Sequence, residues 1–69
     1  MRIYVDLSIP VGVTRRIGID YNTRQFVVFD YHGTGFHGHV RTWQELDPVM
    51  QAMLRRAGMV DRRGNILGR

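Results

Sequence analysis

The stretch GFHGHVRTW, residues 35–43, carries the side chains best suited to chemistry, namely His37, His39 and Arg41. If the stretch is a strand, these side chains stand at positions i, i+2 and i+4 and point to one face of the sheet. Two histidines can act as general base and general acid, and an arginine can stabilise the charge that builds on phosphorus. This set is sufficient to cleave RNA through its own 2′-hydroxyl without a metal ion.

The pattern leaves three interpretations of this row open. The first is a metal-independent ribonuclease site. The second is a metal pair of the His-x-His type with His32 as a third ligand, although no further carboxylate or histidine stands at an obvious ligand spacing. The third is a solvated sheet face without chemistry. Phe26 and Val28, predicted on the same face, favour a partly covered cleft, and we expect no metal and no cofactor.

A hairpin is predicted to position the row. QFVVFDY (25–31) has the strongest strand character, FHGHVR (36–41) returns, and HGTG (32–35) supplies the turn with two glycines. With an even loop, Asp30 lies opposite His37, and a neighbouring carboxylate can fix the tautomer of a histidine. We therefore expect Asp30 to orient His37. The remaining predicted cross-strand pairs are Val28 with His39, Phe26 with Arg41, Tyr31 with Phe36, Phe29 with Gly38 and Val27 with Val40.

The elements around the hairpin predict a small α+β fold. RIYVDLSI (2–9) reads as a strand or extended arm, RRIGID (15–20) as a short strand, and YNTR (21–24) as a turn. Thr42 and Glu45 match a capping box. A helix is predicted to begin with Asp47 as N-cap and Pro48 at its first position, and to end before Gly58. Its apolar stripe comprises Val49, Met50, Met53, Leu54 and Ala57.

We predict that three or four antiparallel strands form a meander. One amphipathic helix is expected to pack on the apolar face of this sheet. That face is predicted to be the one that carries Val27, Phe29 and Tyr31.

Length, composition and charge restrict the class of protein and the kinds of partner it can bind. The chain has 69 residues, which allows a single small domain over residues 1–69. It has no cysteine, so a disulfide, a thiolate metal site and a cysteine nucleophile are excluded. No apolar run reaches the roughly 18 residues of a membrane span. The net charge of +4, with arginine as its sole basic residue besides histidine, favours an anionic partner, first nucleic acid and then an acidic protein. The arginines expected to contact phosphates are Arg55, Arg56, Arg62 and Arg63.

Four segments resemble the C-terminal toxin domains of bacterial polymorphic toxins, including contact-dependent inhibition toxins. They are IGIDYNTRQFVVFD (17–30), FHGHVRTWQEL (36–46), MQAMLRRAGMV (50–60) and GNI (64–66), and the His-Gly-His-Val-Arg-x-Trp core is the most specific of them. The resemblance implies a ribonuclease of the barnase, colicin and RelE-like group that cuts RNA, often tRNA. It also implies an active-site role for His37, His39 and Arg41, with Thr42 and Trp43 as neighbours that position substrate.

The same resemblance implies delivery from a secreted parent protein and action in the cytoplasm of a rival bacterium. It implies neutralisation by a cognate acidic immunity protein. Residues 1–69 are then a complete or N-terminally truncated toxin domain. The alternative that the residues leave open is a non-catalytic basic module that binds RNA or protein.

Overall fold

The computed structural model describes residues 8–68, which form one four-stranded antiparallel sheet and one α-helix. The strands are β1 (Ile9–Pro10), β2 (Arg15–Asp20), β3 (Gln25–His32) and β4 (Gly35–Arg41), and they lie side by side in chain order. A 3-10 turn (Trp43–Glu45) leads to helix α1 (Pro48–Arg56). The predicted α+β meander with one helix is confirmed. The predicted N-terminal strand lies outside the described residues except for Ser8 and Ile9.

The register of β3 against β4 agrees with the prediction at every pair. Asp30 lies opposite His37, and the remaining predicted pairs are found as well: Val28 with His39, Phe26 with Arg41, Tyr31 with Phe36, Phe29 with Gly38 and Val27 with Val40. The connecting loop has only Gly33 and Thr34 between the paired residues His32 and Gly35. Gly33 has a φ of 63°, a left-handed value that glycine adopts at little cost and that tight hairpin turns require.

Helix α1 packs on the opposite sheet face from the one predicted. In the register of β2 against β3, Ile17 lies opposite Val28 and Ile19 opposite Phe26. These four side chains form one buried cluster with residues from the helix and its flanking segments, namely Leu46, Met50, Leu54 and Val60. The predicted packing of the helix on Val27, Phe29 and Tyr31 is therefore wrong. Strand β3 is apolar on both faces, and the isoleucines of β2 decide which face offers the larger apolar surface to the helix.

The other face of the sheet is buried near β2 and open near β4. Val27 and Phe29 are buried there. Gly18 allows the close approach of Ser8, since a Cβ at this glycine would lie 3.2 Å from the Ser8 Cβ. The Arg16 guanidinium donates to the Ser8 hydroxyl at 2.6 Å and so helps to hold this segment against the sheet. Toward β4 this face of the sheet is no longer covered, and the side chain of Val40 is exposed.

Helix α1 begins as predicted. The Asp47 carboxylate accepts a hydrogen bond from the Met50 N–H at 2.8 Å, and Pro48 occupies the first turn. The side chains that α1 buries are Met50 and Leu54. Val49 and Ala57, which we predicted in the apolar stripe, are both exposed, Val49 to 58%, so that part of the prediction is wrong. Within residues 8–68, no helix has the length and apolar character needed to cross a bilayer.

The end of α1 is a Schellman motif, as the predicted Gly58 stop requires. Gly58 has a φ of 74°, and its N–H donates to the Arg55 carbonyl at 3.0 Å. The Met59 N–H donates to the Leu54 carbonyl at 3.0 Å, which satisfies a second carbonyl group at the helix end.

The C-terminal segment folds back on the helix and the sheet. Val60 forms a β-bridge with Ile66, and the Arg24 guanidinium donates to the carbonyls of Ile66 (2.7 Å) and Gly68 (3.0 Å). Gly64 is buried against the indole of Trp43, where a Cβ would overlap the ring. The segment therefore packs on Trp43 only because residue 64 has no side chain.

We expect Gly64→Ala to destabilise the protein by about 2–4 kcal/mol, because it combines overpacking against Trp43 with a left-handed φ of 88°. Urea unfolding measures this loss. Gly58→Ala is the matched control, since Gly58 also has a positive φ but its Cβ would meet nothing within 4 Å. A loss in Gly64→Ala no greater than that in Gly58→Ala would contradict the packing of this segment on Trp43.

Candidate functional site

The predicted row of His37, His39 and Arg41 lies on the face of the sheet that α1 covers. The register places all three side chains on the face of Phe26 and Val28. The two histidines are exposed and line a cavity of about 400 Å³ together with Asp30 and His32. The structure therefore brings His37 and His39 together with the Asp30 carboxylate and with His32, for which the sequence predicts a role only in the metal interpretation.

The imidazole of His37 is held by the turn that precedes it. Its Nε2 lies 3.1 Å from the carbonyl oxygen of His32, and the two histidine rings are 6.2 Å apart between centroids. A carbonyl oxygen only accepts hydrogen bonds, so this contact requires a proton on Nε2. In the neutral ring, Nδ1 is then the nitrogen that can accept a proton. This hydrogen bond selects a tautomer suited to a general base.

Asp30 lies opposite His37 but makes its ion pair on the other side. Its carboxylate accepts a hydrogen bond from Arg15 Nε at 2.6 Å. The hydrogen bond and the charge of Asp30 both raise the pKa of Arg15. The two side chains are 51% and 37% exposed, so the pair contributes at most about 1 kcal/mol to folding. Arg15 thus fixes the position of the Asp30 carboxylate. An orienting contact from Asp30 to His37 stays a prediction.

Arg41 lies in a second cavity that adjoins the first. This cavity has a volume of about 140 Å³ and is walled by the start of α1. Its lining residues are Arg15, Val28, Asp30, Arg41, Glu45, Asp47 and Met50. Asp30 lines both cavities, so the two lie side by side on one sheet face. Arg41 does not share the histidine cavity, but it shares its own cavity with a second arginine, Arg15.

Thr42 and Glu45 form the predicted capping box at the start of the 3-10 turn. The Glu45 carboxylate accepts from the Thr42 N–H at 2.8 Å, and the Glu45 N–H donates to the Thr42 carbonyl at 3.0 Å. The hydrogen bonds from Thr42, aided by the charge of Arg41, lower the pKa of Glu45. The backbone and the side chain of Thr42 therefore both bond Glu45, and together they fix where Glu45 stands beside Arg41.

Trp43 joins the sheet, the helix and the C-terminal segment. Its ring centroid is 5.6 Å from that of Phe26, and the Arg55 guanidinium lies 5.1 Å over the indole. Gly64 packs against the ring as described above. These contacts make Trp43 a structural anchor, and its contact with a substrate stays a prediction.

The four arginines predicted to meet phosphates differ in their surroundings. Arg55 stacks on Trp43 and donates to the Arg62 carbonyl at 2.8 Å, so it contributes to the fold. Arg56, Arg62 and Arg63 are exposed and can reach an anionic partner.

Among residues 8–68, no three His, Asp or Glu side chains are arranged to hold a metal ion.

Sequence reasoning missed Arg15 as part of the site. The signal that could have found it is the register of the β2–β3 turn, which pairs Asp20 with Gln25 and therefore Arg15 with Asp30. The sequence pattern leaves Glu45 as a capping residue or a catalytic base. The structure shows the capping contact, and the Glu45 carboxylate also lines the Arg41 cavity.

The fold and this face define a small basic α+β domain with paired histidines beside paired arginines. The chain is similar to a chain in the crystal structure of a CDI complex from Cupriavidus taiwanensis LMG 19424. The two are 45% identical, with a TM-score of 0.83, over 93% of this chain and 90% of that chain. No family model matches the chain, and no curated protein matches it. The chain belongs to the family of contact-dependent inhibition (CDI) proteins represented in that complex, which confirms the CDI context that the resemblance implied.

The capping box predicts how stability depends on pH. Because the folded pKa of Glu45 is lowered from 4.5, its contribution is present above that value and is lost as the pH falls through the folded pKa. Glu45→Gln retains an acceptor oxygen but does not titrate. We expect wild type to be more stable than this variant at pH 7 and the difference to shrink on acidification below 4.5.

Urea unfolding midpoints of both proteins across this pH range provide the measurement. Asp61, whose pKa is also lowered, by hydrogen bonds from Asn65, titrates in both proteins, so its effect cancels in the comparison. A stability difference that is the same at acid and neutral pH would contradict the assigned role of Glu45.

Arg55 and Arg56 are adjacent, and their alanine variants should behave differently. Arg55→Ala should cost about 1 kcal/mol of stability, since it removes the contact with Trp43 and a hydrogen bond. Arg56→Ala should leave stability unchanged and lower the salt dependence of RNA binding by about one phosphate contact. Thermal unfolding and binding titrations at several salt concentrations test the pair. Equal effects of the two variants on both properties would refute the assignment.

Proposed function

We propose that the chain is the toxin of a CDI toxin–immunity pair and that it cleaves RNA without a metal ion. The observation that carries this proposal is the hairpin register. It sets His37 and His39 side by side on one cavity, with Arg41 in the adjoining cavity on the same face. Such a set supplies a proton acceptor, a proton donor and a cation at one surface.

The proposed reaction is an intramolecular transesterification. One histidine takes the proton of the 2′-hydroxyl, and the 2′-oxygen attacks the neighbouring phosphorus. The bond from phosphorus to the 5′-oxygen breaks, and the other histidine gives that oxygen a proton. The products are a 2′,3′-cyclic phosphate and a 5′-hydroxyl end, so protons and charge balance. The tautomer of His37, set by its hydrogen bond to the His32 carbonyl, supports Nδ1 as the acceptor in one assignment.

The arginines stabilise the phosphate through this reaction. Arg41 and Arg15 line one cavity from two different strands, and guanidinium groups bind phosphate oxygens in a bidentate manner. The site is open to solvent along the sheet, which suits a single-stranded segment of RNA better than a duplex. Among RNAs, tRNA is the substrate that the family resemblance favours.

The toxin role is supported by the CDI complex and by charge. The solved neighbour is part of a CDI complex, which supports a toxin with an immunity partner. A net charge of +4 suits a protein that binds RNA and is neutralised by an acidic partner. Delivery into a target cell belongs to the same proposal.

The test is cleavage of a single-stranded RNA and of tRNA in the presence of EDTA. We expect wild type to cut, and His37→Ala, His39→Ala and Arg41→Ala each to lose about 100-fold or more in rate, as removal of acid–base or charge-stabilising groups typically does. Asn22→Ala is the control, since Asn22 is exposed in the turn between β2 and β3, away from both cavities. It should cut like wild type.

Each of the other possible outcomes would support a different interpretation of this face. If all three variants cut RNA as fast as wild type, the assignment of the catalytic residues is wrong, although the protein is still a nuclease. Activity lost with EDTA and restored by zinc would indicate the metal interpretation. Binding of RNA without cleavage by wild type would indicate the non-catalytic module.

A further inference from the structure

Strand β4 forms one edge of the sheet. In the strand order of residues 8–68 it pairs with β3 on one side and with no described strand on the other. Most of its residues are exposed. An open edge of this length presents a row of backbone donors and acceptors, which native proteins usually cover or pair.

The register decides which backbone groups point outward. The Tyr31 N–H donates to the Thr14 carbonyl at 2.7 Å, so the backbone of Tyr31 is directed toward β2 and away from β4. Hydrogen-bonded and non-hydrogen-bonded pairs alternate along an antiparallel ladder. The β4 residues bonded to β3 are therefore His37, His39 and Arg41. The backbone N–H and C=O groups directed outward belong to Phe36, Gly38 and Val40.

Both faces beside this edge carry distinctive side chains. On one face are His37, His39 and Arg41, the proposed catalytic residues. On the other, Val40 is 52% and Tyr31 is 49% exposed, and the Tyr31 ring packs edge-on against Phe36 at 5.3 Å. A strand placed along β4 would contact an apolar surface on one side and a cationic, histidine-bearing surface on the other.

We propose that the immunity partner adds a strand to this edge. Its backbone pairs with Phe36, Gly38 and Val40, and its side chains alternate between apolar groups beside Val40 and carboxylates beside His37, His39 and Arg41. The inference rests on the proposed function for the identity of the partner. The net charge of +4 favours an acidic occupant, and the 45% identical neighbour was solved as part of a complex.

Inhibition follows from this placement. Because the added strand borders the histidine cavity directly, its carboxylates occupy the surface that RNA phosphates would approach. The partner then blocks the site by pairing with the strand that carries it, without a change in the fold of the sheet.

Amide hydrogen exchange, followed by NMR, tests the edge in the chain alone and in complex with its co-expressed immunity protein. In the chain alone, the amides of Phe36, Gly38 and Val40 should exchange fast, and those of His37, His39 and Arg41 slowly. In the complex, the fast set should slow by about tenfold or more, since each amide gains a hydrogen bond. Edge amides that exchange equally fast in the complex would overturn the proposal.

Val40→Pro removes one outward N–H without touching the ladder to β3, a position where edge strands tolerate proline. We expect affinity for the immunity protein to fall about fivefold to tenfold, as the loss of one backbone hydrogen bond predicts. Val40→Thr keeps the N–H and the β-branched shape, so it should bind nearly as well as wild type. RNA cleavage should be unchanged in Val40→Thr, because the side chain at position 40 faces away from the histidines.

The outcomes separate this inference from the proposed function. If Val40→Pro binds like wild type, the edge is not the docking site, whatever the activity. If the wild-type chain cuts RNA but no immunity protein binds it, both the docking inference and the toxin–immunity pairing are refuted. If the complex forms through the edge and no RNA is cut, the docking stands and the ribonuclease proposal fails.

Discussion

The two-residue turn at Gly33 and Thr34 is the constraint on which the rest of the structure depends. It joins β3 to β4 with His32 paired to Gly35, and this sets the register of the whole hairpin. A slip of one residue would turn His37, His39 and Arg41 to the opposite face and bring Phe36, Gly38 and Val40 under the helix. The same turn places the His32 carbonyl where His37 donates to it, so one glycine-containing loop sets both the face and the tautomer of the proposed site.

The second determinant is that β3 is buried on both faces. Phe26 and Val28 lie under α1, whereas Val27 and Phe29 are buried on the other side. The helix therefore covers the face that also carries the polar row, and the start of α1 becomes a wall of the Arg41 cavity. The Arg41 side of the polar row is therefore walled by the helix, whereas the histidine side stays open, and Asp30 lines the cavities on both sides.

The sequence was sufficient to predict the hairpin, its register and both ends of the helix. These features depend on short-range signals: the glycine turn, the Asp47-Pro48 start and the Gly58 stop. It was not sufficient for the face on which the helix packs. The run from Phe26 to Phe29 is apolar on both faces, so alternation could not choose between them. The choice depends on Ile17 and Ile19, which reach β3 through the separate β2–β3 turn.

The sequence predicted only part of the candidate site, because some of its residues are brought in by pairing between separate segments of the chain. His37, His39 and Arg41 follow from one hairpin and lie on one face as predicted. Arg15 lies on β2, whose pairing with β3 depends on a separate turn, and its guanidinium binds the Asp30 carboxylate that the hairpin pattern predicts beside His37. The position of Trp43 beside Gly64 depends on a contact between distant parts of the chain, which no local pattern encodes.

The central claim is that this face cleaves RNA through the 2′-hydroxyl of the substrate and needs no metal ion. The most direct measurement compares one RNA oligonucleotide with its fully 2′-O-methylated counterpart, both incubated with the wild-type chain in EDTA. The account predicts that the unmodified RNA alone is cut and that its fragments end in a 2′,3′-cyclic phosphate. Cleavage of the methylated strand, or fragments with a different end group, would contradict it.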